Sequence, residues 1–192
     1  MDAPNETGVS LRRDAWDNQQ RILAAATAVV HRDGPHAPMA VFAAAAGVGV
    51  GTPYRRYPNR EALLDALTQR SFQRVLDNAR VAAAHDGSGL EALGHFLDRT
   101  IASRDELVLP LHGGPDVTTD ATRQVRTEVH RTLRQIIDRG LRDRSVRSDA
   151  TPDDVILFGA MLAQPLPATS GWDDIAHRLA RIYLDGLAGR AP

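Results

Sequence analysis

The sequence predicts an all-α protein of about nine helices, and three observations carry that expectation. Apolar residues recur three or four positions apart through most of the chain, no segment sustains strict apolar–polar alternation, and prolines, glycines and capping residues cut the chain into helix-sized lengths. At 192 residues it is long enough for one large domain or two small ones. Hydrophobic residues make up 43% and charged residues 24%, an ordinary composition for a folded protein, and no internal repeat or low-complexity tract interrupts it.

Residues 1–15 read as a flexible arm whose basic residues are Arg12 and Arg13. Asp17 with Gln20 three positions on resembles a capping box, and Ile22, Leu23, Ala26, Val29 and Val30 then line one helix face until Asp33-Gly34-Pro35. A short alanine-rich helix follows from about Met39 to Ala46, stopped by Gly47, and another from about Val50 to Tyr57, stopped by Pro58. Two short helices separated by a turn containing glycine form a helix-turn-helix, placed here in a domain spanning 16–60. Asn59 caps the next helix, which contains no proline or glycine as far as Ala84 and ends before Asp86-Gly87-Ser88-Gly89.

Residues 61–192 form the second expected domain. Leu90, Leu93, Leu97 and Ile101 mark one helix, Glu106–Leu111 a short one, and Val125, Val129, Leu133, Ile136, Ile137 and Leu141 a long one with many arginines on its polar face. Thr151-Pro152-Asp153-Asp154 supplies an N-cap, a proline at the first helical position and two acids near the positive end of the helix dipole. That helix is apolar on nearly every side from Val155 to Ala163, before Pro165 and Pro167. A final amphipathic helix carries Trp172, Ile175, Leu179, Ile182, Tyr183 and Leu187.

Several function classes fall away on composition. Without cysteine there is no disulfide framework, no thiolate nucleophile and no cysteine-ligated metal. No apolar run is long enough to span a bilayer, and the acidic, polar residues 1–10 are unlike a secretion signal, so the expected location is the cytoplasm. The net charge of −1 conceals a separation along the chain. Residues 10–70 hold eight arginines against five acids, whereas residues 71–192 hold fifteen against seventeen, so the positive charge that favours nucleic acid is N-terminal.

The segment Ala46-Gly47-Val48-Gly49-Val50-Gly51-Thr52-Pro53-Tyr54-Arg55-Arg56-Tyr57-Pro58-Asn59-Arg60-Glu61-Ala62-Leu63-Leu64 closely resembles the signature of the tetracycline-repressor (TetR) family. The resemblance implies a regulator that binds double-stranded operator DNA as a homodimer. Gly51 and Thr52 open the recognition helix with little side chain, allowing close approach to the major groove, and Thr52 offers a hydroxyl and a methyl to base edges. Tyr54, Arg55, Tyr57 and Arg60 lie where the family places phosphate contacts or their supports. Tyr57 also suits a hydrophobic brace. Arg56 faces DNA or solvent, and Arg12 and Arg13 reach a flanking groove or remain in a solvated tail. Pro38 replaces the family's usual capping threonine or serine, Met39-Ala40-Val41 and Ala43–Ala46 replace polar residues, and Pro53 lies in the first turn of the recognition helix.

In such regulators the middle helices enclose an effector pocket and the last two pack against a second subunit. Pocket candidates are Phe72, Leu76, Phe96, Leu97, Thr100, Leu111, His112, Val125, Val129, His130 and Phe158, chosen as apolar or amphipathic positions. They suit a weakly polar, neutral or aromatic effector. Interface candidates are Val155, Phe158, Met161, Leu162, Ile175, Leu179 and Ile182. No cofactor or metal is expected: His130 beside Glu128 and His95 near Asp98 read as ordinary polar helix residues. An effector-independent or corepressor-dependent regulator is one alternative. An all-α enzyme is another, although the chain shows no nucleophile elbow, phosphate loop or paired histidines.

Overall fold

A computed structural model describes residues 6–49, 56–110, 119–166 and 169–189, with side chains from Asn18 onward. The described residues contain seven α-helices and one short 3₁₀ turn, with no β-strand beyond an isolated bridge between Val146 and Ala188. The chain divides into two compact units, Met1–Leu67 and Thr68–Pro192.

In the first unit, helix α1 runs over Glu6–Asp33. It absorbs most of the expected flexible arm: Arg12 and Arg13 lie on helical backbone, and the Asp17–Gln20 pair is interior to the helix. The reason is local. Leu11, Arg12, Arg13 and Ala15 are good helix formers, and no proline follows until Pro35, so nothing stops the helix from extending backwards past Asp17. At its other end Gly34 takes the left-handed conformation (φ +82°) and donates its N–H to the Val30 carbonyl, closing the last turn. Helix α2 spans Met39–Ala45 and packs against α1. Ile22, Leu23, Ala26, Val29 and Val30 are buried as their spacing predicts, together with Phe42, Ala43, Leu63, Leu64 and Leu67. The last three belong to helix α3, Arg60–Ala83, which starts with the Asn59 side chain accepting the Ala62 amide at 2.8 Å and crosses from the first unit into the second. The division at Leu67 rather than at residue 60 follows from those three leucines.

The second unit is arranged about helix α4 (Gly89–Ala102), which packs against α5 (Asp120–Arg142), α6 (Pro152–Leu162) and α7 (Trp172–Leu187). Both α4 and α6 begin with reciprocal capping boxes, Ser88 with Glu91 and Thr151 with Asp154. Helices α4 and α5 touch backbone to backbone at Gly89 and Gly140. The count of nine helices is corrected to seven among the described residues. Val50–Tyr57 lies mostly outside them, and the short helix expected over Glu106–Leu111 is replaced by a 3₁₀ turn at Arg104–Glu106 followed by extended chain. Leu107, Val108 and Leu109 are buried there, and Val108 donates its amide to the Ser71 hydroxyl at 2.7 Å. That side chain satisfies a buried amide which a helix would otherwise have had to pair. Two further links bind this segment to α3: Asn78 donates to the Ser103 hydroxyl at 3.0 Å, and Arg74 pairs with Glu106 at 2.6 Å.

Candidate functional site

The first unit shows the first helix of the expected helix-turn-helix and the turn after it, while the second helix lies mostly outside the described residues. Pro38 is the N-cap of α2 and supplies no side-chain cap, so the hydroxyl contact to phosphate that the family resemblance implies at that position has no side-chain donor here. After α2, Gly47 adopts φ +65°, and Gly47 and Val48 return their amides to the Ala44 and Ala43 carbonyls. This is the left-handed turn that a β-carbon would disfavour. Gly51, Thr52, Tyr54 and Arg55 lie outside the described residues, as do the side chains of Arg12 and Arg13.

Of the remaining DNA-contact candidates, Arg56 is exposed and hydrogen-bonds Gln19 of α1. Arg60 is half-buried, with Nη1 3.5 Å from the His36 carbonyl. Of the two readings that the sequence left for Tyr57, its placement fits the brace: it is only 6% exposed, with its hydroxyl 3.5 Å from Gln19 Nε2. Gln19 therefore sits between Arg56 and Tyr57 and ties the end of the recognition segment to α1. Its position gave no sign of this in sequence, because polar residues on an exposed helix face all look alike.

In the second unit a cavity of about 310 Å³ opens among α3, α4, α5, α6 and the connecting chain at Leu109-Pro110. Its walls include five predicted residues: Phe72, Phe96, Thr100, Val129 and His130. Leu76, Leu97, Val125 and Phe158 do not line it. Leu76 and Leu97 are closed core, Val125 packs half-buried against that core, and Phe158 stacks on Tyr183 with ring centroids 3.9 Å apart. Leu111 and His112 lie outside the described residues. The structure adds Val75, Leu109, Pro110, Ile156, Leu157, Gly159 and Ala160, and two charged residues, Arg126 and Asp153.

The polar groups are few. Thr100 donates its proton to the Phe96 carbonyl at 2.8 Å, so toward a ligand it can only accept. His130 Nδ1 stands 3.6 Å from Asp153 Oδ1, while its neighbour Glu128 is engaged by Arg131. No group of three metal-ligating side chains occurs among the described residues, and none of their helices is long and apolar enough to cross a membrane.

Helices α6 and α7 carry the interface candidates and contact one another. Val155 and Leu162 are corrected: both are fully buried in their own unit, because they share the α6 face that packs on α4. Ile175 is half-buried. Met161, Leu179 and Ile182 point outward, joined by Leu157, with exposures of 52%, 37%, 61% and 58%. Trp172 donates its indole N–H to the Leu162 carbonyl at 2.8 Å and links the two helices across the segment containing Pro165. Burial of the Tyr183 phenol, with the Asp154 carboxylate adding to it, pushes its pKa up to about 12.

The comparisons with known proteins agree with this arrangement. The model of the family "Bacterial regulatory proteins, tetR family" matches residues 22–67, which covers the buried face of α1, the turn and the start of α3. The HTH-type transcriptional repressor LfrR of Mycolicibacterium smegmatis is 33% identical over 117 residues, spanning 59% of this chain and 60% of that protein. A crystal structure of a TetR transcriptional regulator from Streptomyces coelicolor is 30% identical, with a TM-score of 0.59 over 90% of this chain and 99% of its own. A TetR regulatory protein from Mycobacterium vanbaalenii is 26% identical, with a TM-score of 0.62 over 93% of this chain and 99% of its own. Both structural likenesses run through the second unit as well as the head, and the chain belongs to the TetR family of bacterial transcriptional regulators.

Proposed function

We propose that the chain is a DNA-binding transcriptional repressor that acts as a homodimer on an inverted-repeat operator and is released by a small molecule held in the cavity of its second unit. The observation that carries this reading is the combination, in one chain, of a basic helix-turn-helix head with a separately packed helical unit that holds a mainly apolar cavity open at one side. In the head, Gly51 and Thr52 read base edges while Tyr54, Arg55 and Arg60 hold phosphates. Arg56 lies beside them, and Arg12 and Arg13, carried by α1, reach the flanking backbone. In the second unit, the outward residues Leu157, Met161, Leu179 and Ile182 form the apolar face on which two copies meet.

The test is a gel shift followed by footprinting on DNA upstream of the protein's own gene. A two-fold dimer protects two half-sites related by symmetry, about one helical turn or a multiple of it apart. Equal affinity for that DNA and for random duplex sinks the proposal.

A further inference from the structure

The two charged groups on the cavity wall, Arg126 and Asp153, are not equally provided with partners. Arg126 lines it from α5 and is exposed, so its guanidinium stands at the mouth. The helix neighbours one turn to either side of it are Thr122, Arg123, Val129 and His130, none of them acidic. Among the described residues its side chain has no hydrogen-bond or ion-pair partner. The nearby acids are committed elsewhere: Glu128 to Arg131 and Asp120 to Arg123. Asp153 is the one acid on the lining, and it has a partner of its own in the N-terminus of α6. It occupies the first turn of α6, where the helix dipole stabilises a carboxylate, and its Oδ1 lies 3.6 Å from His130 Nδ1. The remaining walls are apolar, and the cavity volume is at the small end of the roughly 300–1,000 Å³ typical of ligand sites.

Resting on the reading of this cavity as the effector site, we propose that its ligand is a small, mainly apolar organic acid with a single carboxylate. The carboxylate pairs with the Arg126 guanidinium at the mouth, and the body lies against Phe72, Phe96, Val129 and Ile156. A guanidinium fork matches a carboxylate in shape as well as in charge. Thr100, deeper in the walls, accepts but does not donate, and so gives an anion no competing site. This differs in charge from the weakly polar, neutral or aromatic effector expected from sequence, because Arg126 is neither apolar nor amphipathic and is not among the expected lining residues.

The test uses the full-length protein and two sets of probes that differ only in the head group: 4-phenylbutyrate, 4-phenylbutanamide and 4-phenylbutylamine, then octanoate, octanamide and octylamine. Calorimetry is expected to show the carboxylate binding about tenfold or more tighter than the amide in at least one set, with the amine weakest. Arg126→Gln should bring the carboxylate to the level of the amide and leave the amide unchanged, Arg126→Lys should keep part of the preference, and Ala160→Leu should weaken every probe by filling the cavity. Equal affinities, a preference for the amine, no binding by either set at millimolar concentration, a carboxylate preference that survives Arg126→Gln, or binding indifferent to Ala160→Leu each overturns the proposal. Operator affinity is measured alongside. Arg126-dependent binding that leaves operator affinity unchanged supports the anion site and removes the effector reading, so the two fail separately.

Discussion

A methyl group added at Gly89 would sit 2.3 Å from both Cα and N of Gly140, and the nearest alternatives are backbone atoms that cannot swing aside. Two effects compete in Gly89→Ala. Alanine gains at most about 0.5–1 kcal/mol over glycine, the value for the middle of a helix, and Gly89 is only the first residue of α4, whereas forcing α4 and α5 apart costs on the order of 1–3 kcal/mol. Contact with backbone favours the upper end, so the expected net loss is about 2 kcal/mol and a Tm lower by roughly 5 °C in a thermal melt. An unchanged or higher Tm shows that the helix crossing is loose. Tyr183 gives a second prediction at this scale. Its folded pKa of about 12 lies above the ordinary 10.0, so the fold favours the neutral phenol. That contribution is fully present below pH 10 and is lost as pH rises from about 10 towards 12. Its buried hydroxyl also has no hydrogen-bond partner, so Tyr183→Phe removes an orphaned polar atom and leaves the ring stacked on Phe158. Melts between pH 8 and 11 should show the variant at least as stable as the parent at pH 8 and losing less on the alkaline side. Parallel loss in both proteins refutes the assignment. Residue-level reading of the sequence reached the cavity only in part, for a physical reason. Leu76 and Leu97 recur at the same helical spacing as Phe72 and Phe96, and periodicity does not distinguish a side chain pressed into core from one facing a void.

Helix boundaries were the most legible feature wherever a short side chain performs the capping. Asn59 and the Thr151-Pro152-Asp153-Asp154 start are placed as the sequence predicts, and Gly34 takes the left-handed cap expected just before Pro35. The start of α1 was not legible, since an internal acid–glutamine pair imitates a cap and only the absence of a breaker upstream reveals the longer helix. The same limit applies to α6. Its nearly uniform apolarity implies burial on two sides, but only the fold separates the inward Val155 and Leu162 from the outward Leu157 and Met161. The outward set yields a prediction for the interface. Ile182→Glu places a charge on the proposed meeting face at a position 61% exposed, so the subunit should still fold while the dimer dissociates. Light scattering should report a monomer, and operator binding should fall with it. Val81→Glu, at an apolar residue 50% exposed on α3, is the control and should remain dimeric. If both variants stay dimeric at micromolar concentration, the face formed by α6 and α7 is not the interface.

For the whole molecule, release by a ligand requires that operator and ligand favour different conformations of the same chain, and linkage then fixes a relation that no contact list contains. If the carboxylate probe lowers operator affinity by some factor, the operator must lower affinity for the probe by the same factor. A ligand with equal affinity for both conformations shifts nothing, however tightly it binds. The candidate carrier is α3, which is continuous over Arg60–Ala83, contributes Leu63, Leu64 and Leu67 to the core of the head, and lines the cavity with Phe72 and Val75. Ser71, Arg74 and Asn78 also fasten it to the chain leading to Leu109 and Pro110, so a ligand that displaces that wall pulls on α3. Weakening the helix without touching either site tests this. Gln69 and Gln73 are both exposed, and replacing both by glycine costs about 1–1.5 kcal/mol of helix propensity in total. The double variant should still bind operator and still bind the carboxylate probe, each measured alone, while the factor linking them moves towards one in both directions. If that factor is unchanged and still reciprocal, coupling does not depend on the stiffness of α3. Factors that differ between the two directions mean that operator and probe are not competing for one pair of states.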